Sequence, residues 1–223
     1  MIIGRGLLAS QFINYDSEEV VFFASGVSNS SEIRKEEFLR EQNLVEETII
    51  NYSDKLFIYF STCSIYDSSK YNSPYVLHKL HTEEIIKDKS TNYLILRVSN
   101  AVGKGGNPNL LMNYLFRQII NNKELTIHRY ATRNLIDVED VKNITLKYIN
   151  ERKWNRIVNV AYSENFTIPE IINEFESVLN INSKINIIEV GEHYSIDINE
   201  LDYKFISNSK KEYLINLITK YYE

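Results

Sequence analysis

Short apolar runs alternate along this chain with longer stretches of helical period, the pattern of βαβ units around a parallel sheet. Residues 1–3 predict a very short first strand and residues 6–14 a helix after it. Residues 20–24 predict a continuous apolar strand. Residues 31–52 predict a long amphipathic helix opened by Ser31, with Phe38, Leu39, Leu44, Val45 and Ile49 at helical spacing. Further strands are expected at 56–61, 93–98, 125–128, 156–160 and 185–189. Further helices are expected at 74–87, with proline in the first turn, and at 109–121, 138–148, 168–179 and 211–222. The fold class is therefore α/β, with a parallel sheet flanked by helices. The 223 residues read as one domain over 1–223, in which about 103–137 and 160–223 form a small substrate-facing region.

Composition changes this picture little. The chain is 43% hydrophobic and 25% charged, as in an ordinary globular protein. A net charge of -5 without a Lys/Arg block argues against nucleic acid as a partner. Cys63 is the only cysteine, so no intramolecular disulfide is possible and a reducing compartment is expected. No apolar run approaches the roughly 18 residues of a membrane span, and the start Met1-Ile2-Ile3-Gly4 lacks a secretory pattern. A cytoplasmic location without membrane attachment is the expectation.

Two motifs carry chemistry. Gly4-Arg5-Gly6-Leu7-Leu8-Ala9 follows a strand and opens a predicted helix. Glycines there allow a tight turn and close backbone approach to a pyrophosphate. Tyr75 and Lys79 stand four apart on a predicted helix and so share a face. An ammonium beside a phenol favours phenolate, which yields an acid/base near neutral pH. Ser61-Thr62-Cys63-Ser64 closes a buried strand at the end where α/β sites lie, and a hydroxyl there can hold a substrate oxygen.

With these pieces in order, the chain resembles the extended short-chain dehydrogenases/reductases of the NAD-dependent epimerase/dehydratase family, which modify nucleotide sugars. Residues 60–66 resemble the strand with the catalytic Ser/Thr, here Thr62, and 73–80 the Tyr/Lys helix. Residues 96–103 resemble the segment whose Asn, here Asn100, contacts the sugar nucleotide. Asn109 and Leu110 resemble contacts to its diphosphate, and residues 133–140 the segment whose Arg, here Arg133, pairs with it. Asn43 is similar to the family's structural Asn on the long helix.

The resemblance implies a Rossmann-type fold and NAD or NADP as cofactor, bound by Gly4, Gly6, Leu7, Leu8, Ala24, Ser25, Gly26, Ser61, Tyr75 and Lys79. It implies catalysis by Tyr75, Lys79 and Thr62, and substrate contacts from Ser64, Asn100, Asn109, Leu110 and Arg133. The substrate would be a nucleotide-linked sugar of the kind that supplies surface polysaccharides, and the assembly a homodimer through the long helix and the Tyr75 helix.

Two departures shape the expectation. No acid ends the strand at 20–24, where a Rossmann site places one for the adenosine ribose. Either the usual second and third strands are missing, or 20–24 is the second strand, with Ser25, Ser28 and Asn29 facing a 2′-phosphate. The acidic pair of the sugar dehydratases is also replaced by Cys63 and Ser64, which disfavours dehydration and prefers epimerisation or ketoreduction. Cys63 reads either as an acid/base or as a small buried hydrophobe. His78 and His81 lack the partners for a metal set and read as solvent-facing or packing residues. Glu36-Glu37 and Glu46-Glu47 read as the wet face of the long helix. A relative that binds nucleotide sugar or a partner without redox turnover is the alternative to an enzyme.

Overall fold

The computed structural model describes residues 1–15 and 17–223. The strands are β1 (Ile2–Ile3), β2 (Val20–Phe23), β3 (Leu56–Thr62), β4 (Tyr93–Val98), β5 (Asn100–Val102), β6 (Leu125–His128), β7 (Thr132–Arg133), β8 (Leu135–Asp137), β9 (Arg156–Val160), β10 (Phe166–Thr167) and β11 (Ile185–Ile188). The helices are α1 (Lys35–Asn51), α2 (Pro74–Lys89), α3 (Leu111–Ile120), α4 (Val138–Asn150), α5 (Ile168–Leu179) and α6 (Lys210–Tyr222).

The main sheet is parallel in the order β1-β2-β3-β4-β9. Its central strands are buried on both faces, which is why they read as unbroken apolar runs. Val45 and Ile49 of α1 and Ile85 and Ile86 of α2 cover one face, against Val21, Phe23, Phe57 and Ile95. On the other face, Val141, Ile144 and Tyr148 of α4 pack with Phe12 on Phe22, Ile58 and Leu94. A second apolar core lies beyond the sheet, built from α3, α5, α6 and β6, with Leu115, Ile127, Ile172, Phe175 and Leu217 inside it.

The strand order decides between the two accounts of 20–24. In the usual order 3-2-1-4-5-6, the first strand separates the second from the fourth. Here β2 lies between β1 and β3, so it takes the place of a fourth strand and the sheet ends at β1. The reading of 20–24 as a second strand is corrected.

Three further expectations change. Residues 6–14 form only a 3-10 turn, Ala9–Phe12, because the short connection between neighbouring strands is tied down by Phe12 stacking on Phe22 at 4.3 Å. The long helix starts at Lys35 rather than Ser31. Its entry is fixed by Glu32, which accepts from the amides of Ile33 and Arg34 and from the Arg34 guanidinium. Its buried face is Glu41, Val45, Thr48 and Ile49, and Leu39 is exposed.

Candidate active site

One cleft of about 890 Å³ opens at the carboxyl ends of β2, β3 and β4. Thr62, at the end of β3, and Tyr75 and Lys79, on α2, line it together. Ser73 caps α2 by accepting from the Val76 amide, and Pro74 pre-sets its first turn, so Tyr75 enters at a fixed angle. The Tyr75 hydroxyl has no hydrogen-bond partner among the described residues, whereas the Thr62 hydroxyl donates to Ser64 Oγ at 3.0 Å. Thr62 also accepts from the Ser64 amide, capping the turn Cys63–Tyr66.

The glycine loop forms one wall. Gly4 has φ +124°, and a Cβ there would stand 2.3 Å from the Ala24 carbonyl oxygen. It stands behind the wall and permits the close approach of β1 to the end of β2. A Cβ on Gly6 would meet nothing within 4 Å, so open space faces that turn, and Arg5, Leu7 and Leu8 border it. Ala24, Ser25 and Gly26 follow, and a Cβ on Gly26 would press within 2.6 Å of Lys79 Nζ. Ser61 also lines the cleft, but its hydroxyl is engaged by Glu83 at 2.5 Å.

Ser64, Asn100, Asn109, Leu110 and Arg133 all reach the same cleft. Asn100 Nδ2 donates to the Asn134 carbonyl at 2.8 Å, and Arg133 Nη1 to the Thr132 carbonyl at 2.7 Å. The amides of Asn109 and Leu110 are both held by Asn107. Arg5, Arg40, Lys70 and Arg133 bring positive charge to the lining, against the carboxylate of Asp67. That excess suits phosphate-bearing ligands.

Lys79 is 2% exposed, and its ammonium donates to Glu41 Oε1 at 2.8 Å and to the Tyr59 hydroxyl at 3.1 Å. Burial works against the Glu41 charge. The Lys79 ammonium and the hydrogen bonds from His78, Lys79 and Tyr59 outweigh it, so this carboxyl is held well below the usual carboxylate range. Burial first, and then Glu41, pushes the Tyr59 phenol well above its ordinary value.

The remaining side chains singled out in the sequence have defined surroundings. Asn43 is exposed on α1, and the buried carboxylate two residues before it, Glu41, is what that helix turns toward α2. His78 is buried, stacked on Phe38 at 4.7 Å, whereas His81 is exposed. Glu46 is paired with Lys89 rather than simply solvated. Cys63 borders the cleft, but its thiol donates to the Arg97 carbonyl at 2.9 Å and burial pushes it far up. It is a packing residue, not an acid/base.

Glu41, Tyr59, Arg40 and Tyr194 were absent from every motif. Among the described residues no group of His, Cys, Asp and Glu has the arrangement of a metal site, and no helix is long and apolar enough to cross a membrane.

Known structures share this architecture. UDP-glucuronic acid 4-epimerase from Bacillus cereus, in complex with UDP-glucuronic acid and NAD, superposes with a TM-score of 0.75 at 20% identity, over 92% of this chain and 74% of that one. UDP-N-acetylglucosamine 4-epimerase from Methanobrevibacter ruminantium, in complex with UDP-N-acetylmuramic acid, gives 0.70 at 18%, over 90% and 76%. RMD from Pseudomonas aeruginosa, complexed with NADPH, gives 0.69 at 16%, over 91% and 80%. No curated protein matches the sequence. The family model described as "NAD dependent epimerase/dehydratase family" matches residues 6–161, a span that holds the main sheet from β2 to β9 and the helices bearing Glu41, Tyr75 and Lys79. The chain belongs to that family.

Proposed function

We propose that this protein is an NAD(P)-dependent epimerase or ketoreductase acting on a nucleotide-linked sugar. The supporting observation is the shared cleft. Tyr75, Lys79 and Thr62 face the same space as the open Gly6 turn on one side and Arg133, Asn100 and Asn109 on another.

The residues suit both ligands. The Gly6 turn, with Leu7, Leu8 and Arg5, would hold the pyrophosphate of a dinucleotide, and Gly26, Ser61, Tyr75 and Lys79 would hold its nicotinamide half. A nicotinamide bound there would supply hydride transfer. Tyr75 moves the proton of the sugar hydroxyl, Thr62 orients that oxygen, and Lys79 fixes the charge beside Tyr75. Arg133 presents a planar fork matched to diphosphate oxygens, and Asn100 and Ser64 border the sugar. The covered faces of α1 and α2 leave Leu39, Ile50 and Leu77 exposed, which supports a homodimer through these helices, to be tested by sedimentation.

The test is direct. NADH and NADPH fluorescence titrations should saturate, and UDP- or dTDP-linked hexoses or hexuronates should turn over, with Tyr75→Phe lowering kcat by about 10²–10⁴-fold. Absence of both binding and turnover would count against the reading. The alternative, a sugar-nucleotide binder without redox turnover, draws support from the sheet ending at β1, with no second strand to carry an acid for the adenosine ribose. It predicts nucleotide-sugar binding that Tyr75→Phe leaves unchanged, with no turnover.

A further inference from the structure

Glu41 is fully buried and saturated. Oε1 accepts from Lys79 Nζ at 2.8 Å and from the Tyr59 hydroxyl at 2.6 Å. Oε2 accepts from the Val27 amide at 2.6 Å and pairs with His78 Nε2 at 3.0 Å. A carboxylate offers about four lone-pair positions, and all are used. The groups around it come from every neighbouring element: Lys79, His78, Tyr75 and Thr82 from α2, Tyr59 from β3, the loop after β2, and Arg40 from its own helix.

Lys79 Nζ stands 5.9 Å from the Tyr75 ring centre and 5.0 Å from that of Tyr59. A lone ammonium at that distance would strongly favour a Tyr75 phenolate. Here a carboxylate lies in direct contact with the ammonium, and two opposite charges seen from a few ångströms away largely cancel.

We propose that Glu41 is a positioning residue that decides how much of the Lys79 charge reaches Tyr75, and so sets how readily Tyr75 exchanges its proton. This rests on the reading of Tyr75 as the proton carrier. A phenol is the form needed to reduce a ketone, whereas oxidising a sugar hydroxyl needs the phenolate. The charge that reaches Tyr75 therefore decides how oxidation and reduction divide, and the oxidation rate should climb with pH as the phenolate forms.

The test uses protein labelled with ¹³C at the tyrosine Cζ, titrated by NMR, with the Tyr75 signal identified by its loss in Tyr75→Phe. Removing the negative charge in Glu41→Gln should lower the Tyr75 midpoint by about one to three pH units, and the alkaline rise of the oxidation rate should move down with it. An unchanged midpoint overturns the proposal. If Glu41→Gln does not fold, Glu41→Asp decides, because its shorter carboxylate draws back from Lys79. A smaller downward shift there supports the proposal and no shift overturns it. The NMR readout needs no turnover. A shifted midpoint in a protein inactive on every sugar nucleotide would sink the enzymatic reading while leaving the charge control by Glu41 standing.

Discussion

Lys79 Nζ and Glu41 Oε1 meet at 2.8 Å, with the lysine side chain 2% and the glutamate side chain 0% exposed. Losing one partner of a buried pair leaves the other charged and unsolvated, so Glu41→Gln should cost about 3–5 kcal/mol at neutral pH. The Glu41 carboxyl is held below its ordinary range in the folded protein. Its contribution is therefore complete above the unfolded value, about 4.3, and is lost as pH falls below it toward the folded value. Urea unfolding should show the wild-type advantage over Glu41→Gln intact at pH 7 and shrinking below pH 4.3.

Cys63 should be chemically silent. Its thiol is buried and engaged by the Arg97 carbonyl, and the thiolate is the reactive form. Native protein should resist thiol reagents and react once denatured. Cys63→Ala should leave kcat unchanged and cost about 1 kcal/mol of stability.

Gly26→Ala should act through its neighbours. The added methyl would stand 2.6 Å from Lys79 Nζ and 2.9 Å from Glu41 Oε1. One of the pair has to move, and displacement of a reacting group by about 1 Å can lower kcat by about 10²-fold. Dinucleotide affinity should fall along with kcat, because Gly26 and Lys79 line the same wall of the cleft.

Arg133→Lys should separate binding from chemistry. It keeps the charge but loses the two-pronged fork. A lost charge-assisted hydrogen bond is worth about 1.5–3 kcal/mol, so KM for the nucleotide sugar should rise about 10- to 100-fold with kcat nearly constant.

The main sheet was legible because its strands are short, mostly apolar runs between helical stretches, β2 being wholly apolar and β3 apolar up to Ser61. The candidate site was legible because Thr62, Tyr75 and Lys79 sit at a spacing tied to a strand end and a helix start. The turn at Ala9–Phe12 was not, because the packing of Phe12 on Phe22 overrides local preference. Glu41 was not, because it stands in the run Arg40-Glu41-Gln42-Asn43, which looks like a solvated helix face. Only the fold brings Lys79, His78 and Tyr59 around it. The same is true of α2, whose buried face carries Tyr75, His78, Lys79, Thr82 and Glu83 while Leu77 is outside. Polar residues turned inward erase the apolar stripe that periodicity detects.

The strand order has a kinetic consequence. The sheet's spatial order β1-β2-β3-β4-β9 is also the order of synthesis, so no strand has to be threaded between two already paired. Each can add to the growing edge as it leaves the ribosome. The first and last steps are the exceptions, since α4 brings the chain into β9 over the same face as Phe12. The connection from β1 to β2 runs over the face covered by Phe12, whereas α1 carries the next step over the opposite face. The same sideways step over opposite faces has opposite hands, and about 98% of such crossovers are right-handed. With two residues and the disfavoured hand, β1 should dock last and detach first. The Ala24 amide, which donates to the Ile3 carbonyl, should exchange with solvent deuterium well before the amides between β3 and β4.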